Sequence, residues 1–418
     1  MKASFKTLLS IFTVAVAAHC QAATGLLQAS GIHIVNDSNQ PVQLKGFNLG
    51  ALYPMESYMS PMSAGALGGP KSDTYQVMRT LQNRFGVARQ RSLMQTYQDS
   101  WITPADLDTI KTAGFNAVRV PVWWGQFYDL DDTTHTGWRP DAFAQLDKLV
   151  EAAAARQIYV IIDMHGAVGG QSLAQSTGQI GQNRYWNDAT ARSQTDWMWW
   201  QIANHYKHQP FVAGYDLLNE PDPRPEKTTK WTSDARNQII SAYDRLYKAV
   251  RSADSHHLVF IEATFDKWSW AMLPDPASMG WRNVVYETHA YPWPAGAKPG
   301  ETHVAQAARV VNHLISDFNA HKSWNVPGYV GEFNPLENTS GPWVQAIDAF
   351  NAAGLNWTMW SYKSSNSPAP NHWGWYVRTG WAGQPDIAND SAEDIGKKWS
   401  RWTTQEAFQR NVTLGIQP

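Results

Sequence analysis

Two glutamates stand at the ends of nearly continuous apolar runs. Glu220 ends the run Gly-Tyr-Asp-Leu-Leu-Asn-Glu at 214–220, and Glu332 lies near the end of Gly-Tyr-Val-Gly-Glu-Phe at 328–333. Such runs are typical of strands buried on both faces. Two carboxyl groups about 5–5.5 Å apart can cleave a glycosidic bond with retention, one protonating the leaving oxygen and the other attacking the anomeric carbon. Their pKa values must then differ. The alternative is a pair of ordinary strand-end acids that face solvent.

Other residues suited to such a site lie at the ends of further apolar runs. Arg119 interrupts one run, and a buried arginine needs an anion, which a carboxylate could supply. His289 and Tyr291 are two residues apart, so they face the same side of a strand. His165 and Trp360 each end another run. Any one of these residues alone is more often structural, but their joint occurrence at strand ends favours a site.

The elements that must position these residues alternate along the chain. Eight apolar runs predict strands at residues 42–49, 116–122, 159–165, 213–220, 257–263, 283–291, 327–333 and 354–363. Helical patterns lie between them, at residues 103–114, 141–155, 232–253, 304–318 and 344–353. This alternation predicts an α/β fold, specifically a (β/α)₈ TIM barrel. Long segments at 53–101, 166–190 and 364–391 follow strands and are therefore expected on the C-terminal face, where barrel active sites are built.

The N-terminus has the pattern of a secretory signal peptide. Lys2 and Lys6 precede an apolar run at 8–18, and the small residues Ala22 and Ala23 follow. A run of about 11 apolar residues is too short to span a bilayer. We therefore predict a signal peptide at 1–23, a single catalytic domain at 24–418, and a secreted or periplasmic monomer that leaves the membrane after cleavage. Cys20 is the only cysteine, so the mature chain is expected to have no thiol chemistry.

Composition excludes several classes of function. Lys and Arg total 34 against 36 for Asp and Glu, so the protein lacks the net positive charge that would attract nucleic acid. Aromatic residues reach 12%, and this much aromatic surface demands burial or a ligand, which argues against disorder. Residues 65–72 only approach a phosphate-binding loop, and neither a nucleophile elbow nor metal-ligand spacing is present. We expect no metal and no cofactor.

These motifs together resemble glycoside hydrolase family 5, the cellulase family of retaining β-glycosidases, over about residues 43–363. The resemblance implies that Glu220, in Asn-Glu-Pro, is the acid/base and that Glu332, in Gly-Glu-Phe, is the nucleophile. Asn219 would then bond the sugar 2-hydroxyl, and Arg119 would hold the nucleophile. The resemblance further implies that His165 lines the −1 subsite and that His289 contacts the acid/base. Tyr291 would contact the nucleophile, and Trp360 would form the platform for the −1 sugar.

A narrower resemblance concerns the exo-β-1,3-glucanase branch of this family. The segments at 45–50, 97–103 and 165–167 are similar to that branch, whereas those at 360–363 and 373–376 depart from it. Linkage preference and endo or exo action therefore stay open.

Aromatic residues are expected to line sugar subsites, because sugar rings present apolar faces that stack on Trp and Tyr. Core packing is the alternative for each of them. The candidates that follow predicted strands are Trp123, Trp124, Tyr128, Tyr185, Trp186, Trp268, Trp270, Trp293, Trp373 and Trp375. Three tryptophans in a helical segment are instead expected to pack, namely Trp197, Trp199 and Trp200.

The sequence thus predicts a secreted, retaining hydrolase whose partner is a β-linked glucan or related polysaccharide. A mannan- or glycoconjugate-directed member of the same family is one alternative, and a carbohydrate-binding barrel without catalysis is another. Both carboxylates of the pair are present, which disfavours the last of these.

Overall fold

The computed structural model describes residues 25–418 except 63–71, 135–136, 225–227, 229, 265, 267–268, 366–371 and 380–382. The predicted signal peptide at 1–23 and the aromatic candidate Trp268 lie outside the described residues.

Parallel strands close into a barrel in which each strand pairs with its neighbours in chain order, and the last strand pairs with the first. The strands of this barrel are β1 (Lys45–Asn48), β2 (Ala117–Trp123), β3 (Tyr159–Gly166), β4 (Val212–Asp216), β5 (Leu258–Glu262), β6 (Val284–Ala290), β7 (Gly328–Phe333) and β8 (Asn356–Met359). The predicted (β/α)₈ barrel is confirmed.

Helices follow the strands. They are α1 (Pro104–Thr112), α2 (Ala144–Ala154), α3 (Ala189–Tyr206), α4 (Ser233–Ala253), α5 (Pro276–Met279), α6 (His303–Ala320), α7 (Ser340–Ala353) and α8 (Ala392–Trp399). Five of them, α1, α2, α4, α6 and α7, lie at the segments with predicted helical patterns. Two more helices, Thr74–Phe85 and Val87–Trp101, lie in the long β1–α1 connection. Short helical turns also occur at Trp124–Phe127 and Thr404–Ala407. At the start of α1, the Thr103 N–H donates to Asp106 at 2.7 Å and Pro104 occupies the first turn, which together cap this helix.

The N-terminal end of the barrel is covered by an antiparallel hairpin, Leu27–Ser30 with His33–Asn36. Leu27 and Ile34 of this hairpin are buried in a cluster with Leu44, Ala117 and Leu258, which lie at the starts of strands. The backbone N–H of Ala29 also donates to Asn283 just before β6, at 2.7 Å. Because this end is covered, access to the barrel interior is left to the C-terminal face.

Two strands end well before the residues at which the sequence predicts their ends. The fourth ends at Asp216 rather than at residue 220, and Glu220 itself has a left-handed φ of 43°, which lies outside the strand region. The eighth spans Asn356–Met359, and Lys363–Ser364 instead joins a separate sheet with Tyr376–Arg378 and Phe408–Arg410.

In the part of the chain that is described, no helix has the length and apolar character that a membrane crossing requires.

Candidate active site

Glu220 and Glu332 meet at the C-terminal end of the barrel. Glu332 belongs to β7, whereas Glu220 follows β4 after a short turn. One carboxylate oxygen of each residue and one ring nitrogen of His289 all lie within 4.8 Å of one another. Glu332 is 5% exposed, so the pair lies in a sheltered position where charges interact strongly.

The Glu332 carboxylate is held by donors on both of its oxygens. Arg119 Nη1 donates to Oε1 at 2.9 Å, and the Tyr291 hydroxyl donates to Oε2 at 2.7 Å. Bonds of this kind to an ionised acceptor are the strong ones, and they fix the orientation of the carboxylate. Donors on both oxygens hold the Glu332 side chain in one orientation, which suits a nucleophile.

Arg119 is fully buried and serves several carboxyl groups besides Glu332. Its guanidinium lies 3.1 Å from Asp163, 2.7 Å from Asp216 and 3.4 Å from Glu287. Burial raises the pKa of Asp163 to about 7 and that of Asp216 to about 6, although Arg119 opposes both shifts. Some of these buried carboxyl groups are therefore protonated at neutral pH, since a single arginine cannot neutralise all of them.

The environment of Glu220 differs from that of Glu332. Burial raises the pKa of the Glu220 carboxyl to about 7, while His165 and Arg119 act in the opposite direction. His289 Nδ1 lies 3.0 Å from Glu220 Oε1. Burial also lowers the pKa of His289 to about 3, so this imidazole is neutral at neutral pH. A carboxyl that keeps its proton close to pH 7 suits a general acid.

Asn219 and His165 complete the polar wall around the pair. The Asn219 side-chain oxygen accepts from Arg119 Nη2 at 2.9 Å, which fixes the amide beside Glu220. His165 Nε2 lies 3.9 Å from Glu332 Oε1, and its ring stacks on Trp360 with centroids 5.5 Å apart. Burial lowers the pKa of His165 to about 4, so it too is neutral.

A row of aromatic side chains lines the cleft. Trp360 Nε1 donates to the Tyr58 hydroxyl at 2.8 Å, and Tyr58 meets Trp373 edge-on at 5.1 Å. Trp373 lies 6.2 Å from Trp293, which in turn stacks on Tyr291 at 5.2 Å. Trp293 is 40% exposed and offers a flat apolar surface to a ligand.

The cleft continues from this aromatic row towards α6. A cavity of about 790 Å³ runs between Tyr291 and Trp293 on one side and Gln306, Arg309 and His313 on the other. A volume of this size accommodates a small ligand or a few sugar rings.

Two tryptophans predicted at sugar subsites are mainly packed in the protein. Trp123 is 1% exposed, and its ring fills the space above Gly125 and Gly178, where any Cβ would collide with it. Trp186 is 7% exposed and donates from Nε1 to the Gln171 carbonyl at 3.0 Å. The structure does not bring either ring to the cleft as a free stacking surface, because loop residues enclose both.

Several other aromatic candidates for sugar subsites are also buried. Trp375, expected near a subsite, is buried against Phe47 with ring centroids 4.7 Å apart, which corrects that expectation. Buried positions are also found for Trp124, Tyr128, Tyr185 and Trp270. Among the helical tryptophans, Trp199 is buried as predicted, whereas Trp197 is 42% exposed and packs against Trp200 at the surface of α3.

The sequence interpretation missed several acids of the site. Glu56, from the β1–α1 connection, is 7% exposed; burial raises its pKa to about 8, and the charges of Glu332 and Glu220 add to this shift. No pattern in that loop singles it out. A signal did exist for Asp163, Asp216, Glu262 and Glu287, because each is a charged residue inside or at the end of an apolar run.

Two groups of side chains have the proximity of metal ligands. These are Glu220, His289 and Glu332, and the buried set Glu262, Glu287 and His289. The guanidinium of Arg119 already contacts Glu332 and Glu287, and a second cation there would meet its repulsion. The expectation that the chemistry needs no metal stays a prediction.

The fold and the paired carboxyl groups define the class of a barrel glycoside hydrolase. The sequence profile described as Cellulase (glycosyl hydrolase family 5) matches residues 79–366. The chain belongs to glycosyl hydrolase family 5, and it is therefore a glycoside hydrolase, as the resemblance implies.

Sequence identity to individual relatives is low. The chain is 26% identical over 360 residues to "Beta-xylosidase" of Phanerodontia chrysosporium, covering 81% of this chain and 70% of that protein. It is 30% identical over 306 residues to "Probable glucan endo-1,6-beta-glucosidase B" of Aspergillus flavus, covering 70% and 72%. The solved rutinosidase of Aspergillus niger superposes with a TM-score of 0.61 at 17% identity, covering 78% of this chain and 91% of that one, which shows a shared fold.

Proposed function

We propose that this protein hydrolyses β-glucosidic bonds of a β-glucan by double displacement, with retention of anomeric configuration. The observation that carries this proposal is the approach of Glu220 and Glu332, whose nearest carboxylate oxygens lie within 4.8 Å. Retaining pairs are separated by about 5–5.5 Å, whereas inverting pairs need about 6.5–9.5 Å to admit a water molecule.

The two steps follow from the surroundings of each carboxyl. Glu332 attacks the anomeric carbon while Glu220 gives its proton to the glycosidic oxygen, so that the bond to the leaving alcohol breaks as the glycosyl–Glu332 bond forms. Glu220, now a carboxylate, then takes a proton from water. That water attacks the same carbon and releases Glu332. Arg119 and Tyr291 hold the attacking carboxylate in place throughout.

Two features support a neutral glucan as the substrate. The row of aromatic residues from Trp360 to Trp293 suits the apolar faces of sugar rings. One relative is named for endo-1,6-β-glucan, although another is named for β-xylosides.

A polysaccharide panel tests this assignment. Cellulosic, mixed-linkage, β-1,3- and β-1,6-linked glucans, mannan and xylan would be incubated with the enzyme and the products sized, with Glu332→Gln as the inactive control. Release of glucose or gluco-oligosaccharides from a glucan is expected, and product size separates exo from endo action. Cleavage of mannan alone would favour the mannan-directed alternative, and cleavage of xylan alone would contradict the glucan assignment.

We also propose that the protein is exported, on the basis of the signal-like pattern at residues 1–23. Secretion by the native host with a mature N-terminus near residue 23 or 24 is the expected result of fractionation and N-terminal sequencing. An uncleaved chain retained inside the cell would contradict it.

A further inference from the structure

Glu262, the last residue of β5, lies directly beneath Glu220. Its carboxyl is fully buried, and Oε2 accepts a hydrogen bond from the backbone N–H of Glu220 at 2.6 Å. Its Oε1 lies 3.6 Å from Nε2 of His289, whose Nδ1 lies 3.0 Å from Glu220 Oε1. One side chain therefore contacts both the backbone of Glu220 and the ring that contacts the Glu220 carboxyl.

We propose that Glu262 is a positioning residue for Glu220: a neutral carboxylic acid that fixes the backbone of Glu220 and, through His289, directs an imidazole N–H at its carboxyl. This inference rests on the proposed role of Glu220 as the acid/base.

The backbone of Glu220 requires such support. Its φ of 43° is left-handed, a conformation that a residue with a Cβ holds only when the surrounding structure imposes it. The preceding N–H groups of Leu217 and Asn219 donate to the carbonyls of Phe260 and Met164, in continuation of the barrel ladder. The Glu220 N–H leaves that ladder and donates to the Glu262 side chain instead.

The charges around Glu262 favour its protonated form. Burial raises the pKa of Glu262 well above its ordinary value, and neighbouring acids add to the shift while Arg119 opposes it. The titratable and charged groups that face Glu262 are Glu287, Glu220, Asp216, Arg119, His289 and Tyr243. Since acids predominate in this set, ionising Glu262 would place another negative charge where few positive charges can offset it.

A neutral Glu262 sets the tautomer of His289. Nε2 of His289 has no hydrogen-bond partner among the described residues, and the nearest oxygens are Glu287 Oε1 at 3.4 Å and Glu262 Oε1 at 3.6 Å. The carboxyl of Glu287 is already paired with Asp216, in a hydrogen bond that raises the pKa of Glu287 and lowers that of Asp216. A protonated Glu262 is therefore the acid that donates to Nε2, after a movement of about half an ångström. The ring proton is then on Nδ1, where it donates to Glu220. That donor stabilises the carboxylate that forms as Glu220 gives up its proton.

Leaving-group dependence separates this role from a purely structural one. Phenyl and 2,4-dinitrophenyl β-glycosides of the preferred sugar would be assayed across pH with Glu262→Ala, Glu262→Gln and Glu220→Ala. For Glu262→Ala we expect kcat/KM on the phenyl glycoside to fall roughly 10-fold more than on the dinitrophenyl glycoside, and the alkaline limb to move. Glu262→Gln should stay within about threefold of wild type, because its amide supplies both an acceptor and a donor.

Different outcomes would contradict this inference and the proposed function. A folded Glu262→Ala variant with an unchanged leaving-group ratio and alkaline limb overturns the inference. If Glu220→Ala itself shows no leaving-group dependence, the proposed function fails instead.

A measurement on the wild-type protein covers the case in which Glu262→Ala does not fold. Long-range ¹H–¹⁵N spectra of histidine-labelled enzyme should show His289 as the neutral Nδ1–H tautomer. An Nε2–H tautomer or a charged ring near pH 6 would contradict the inference, and so would a large loss of activity in folded Glu262→Gln.

Discussion

Tyr291 donates a hydrogen bond from its hydroxyl to Oε2 of Glu332 at 2.7 Å, on the oxygen that Arg119 does not hold. We predict that Tyr291→Phe lowers kcat roughly 10- to 150-fold, because a hydrogen bond to a charged group contributes about 1.5–3 kcal/mol. Steady-state kinetics on an aryl glycoside measures this loss. Tyr215→Phe is the matched control, since its hydroxyl bonds the buried Asp254 at 2.8 Å towards the opposite end of the barrel. Equal losses in both variants would show that the Tyr291 bond has no special part in the reaction.

The pH profile follows from the burial of Glu220. Its pKa is raised to about 7, and the first step needs the protonated form, so activity is present below that pH and is lost as the pH rises through it. We expect kcat/KM for a poor leaving group to fall about tenfold per pH unit above 7. The same limb should weaken with a dinitrophenyl leaving group, which needs little acid assistance. A flat profile to pH 9 with the poor leaving group would refute the assignment of the acid.

The absence of a side chain at Gly331 leaves space for the buried carboxyl of Glu287. A Cβ at this position of β7 would collide with the carboxyl of Glu287. Gly331→Ala should therefore reduce the free energy of unfolding by about 1–3 kcal/mol, measured by denaturant titration. In α7, a Cβ at Gly341 would face open space, with no contact within 4 Å from the described residues packed around it, so Gly341→Ala is the control and should be close to neutral. Equal stability of the two variants would contradict the packing account.

Trp293 is expected to bind sugar through its exposed face. Trp293→Ala should raise KM for an oligosaccharide roughly 2- to 10-fold, since aromatic stacking contributes about 0.5–1.5 kcal/mol. Trp197 on α3 is similarly exposed, at 42% against 40%, but lies outside the cleft, and Trp197→Ala serves as the control. An unchanged KM in Trp293→Ala would remove this residue from the proposed subsites.

The barrel and the two glutamates were predictable because topology fixes where strands end. Once alternating strands and helices close, the C-terminal ends of β4 and β7 must open on the same face, and the run of residues around Arg119 must also reach it. Burial of an arginine in an apolar run further indicates an anion nearby. Sequence spacing alone therefore identified Glu220, Glu332 and Arg119 as candidates for one site.

Other features depend on contacts between distant segments and could not be predicted in this way. The left-handed turn at Glu220 is supported by Glu262, which is 42 residues further along the chain. Trp123 and Trp293 both follow strands. Loop residues around Gly178 enclose the ring of Trp123, whereas the ring of Trp293 is exposed. Glu56 reaches the site from a long connection whose path no local pattern specifies.

Covalent trapping tests the central proposal most directly. A 2-deoxy-2-fluoro glycoside with an activated leaving group forms the glycosyl–enzyme but slows its hydrolysis, so peptide mass spectrometry can locate the modified residue. We predict one added glycosyl group on the peptide that contains Glu332, and no labelling of Glu332→Gln. Labelling of another residue, or a first product of inverted anomeric configuration by NMR, would contradict the double-displacement account.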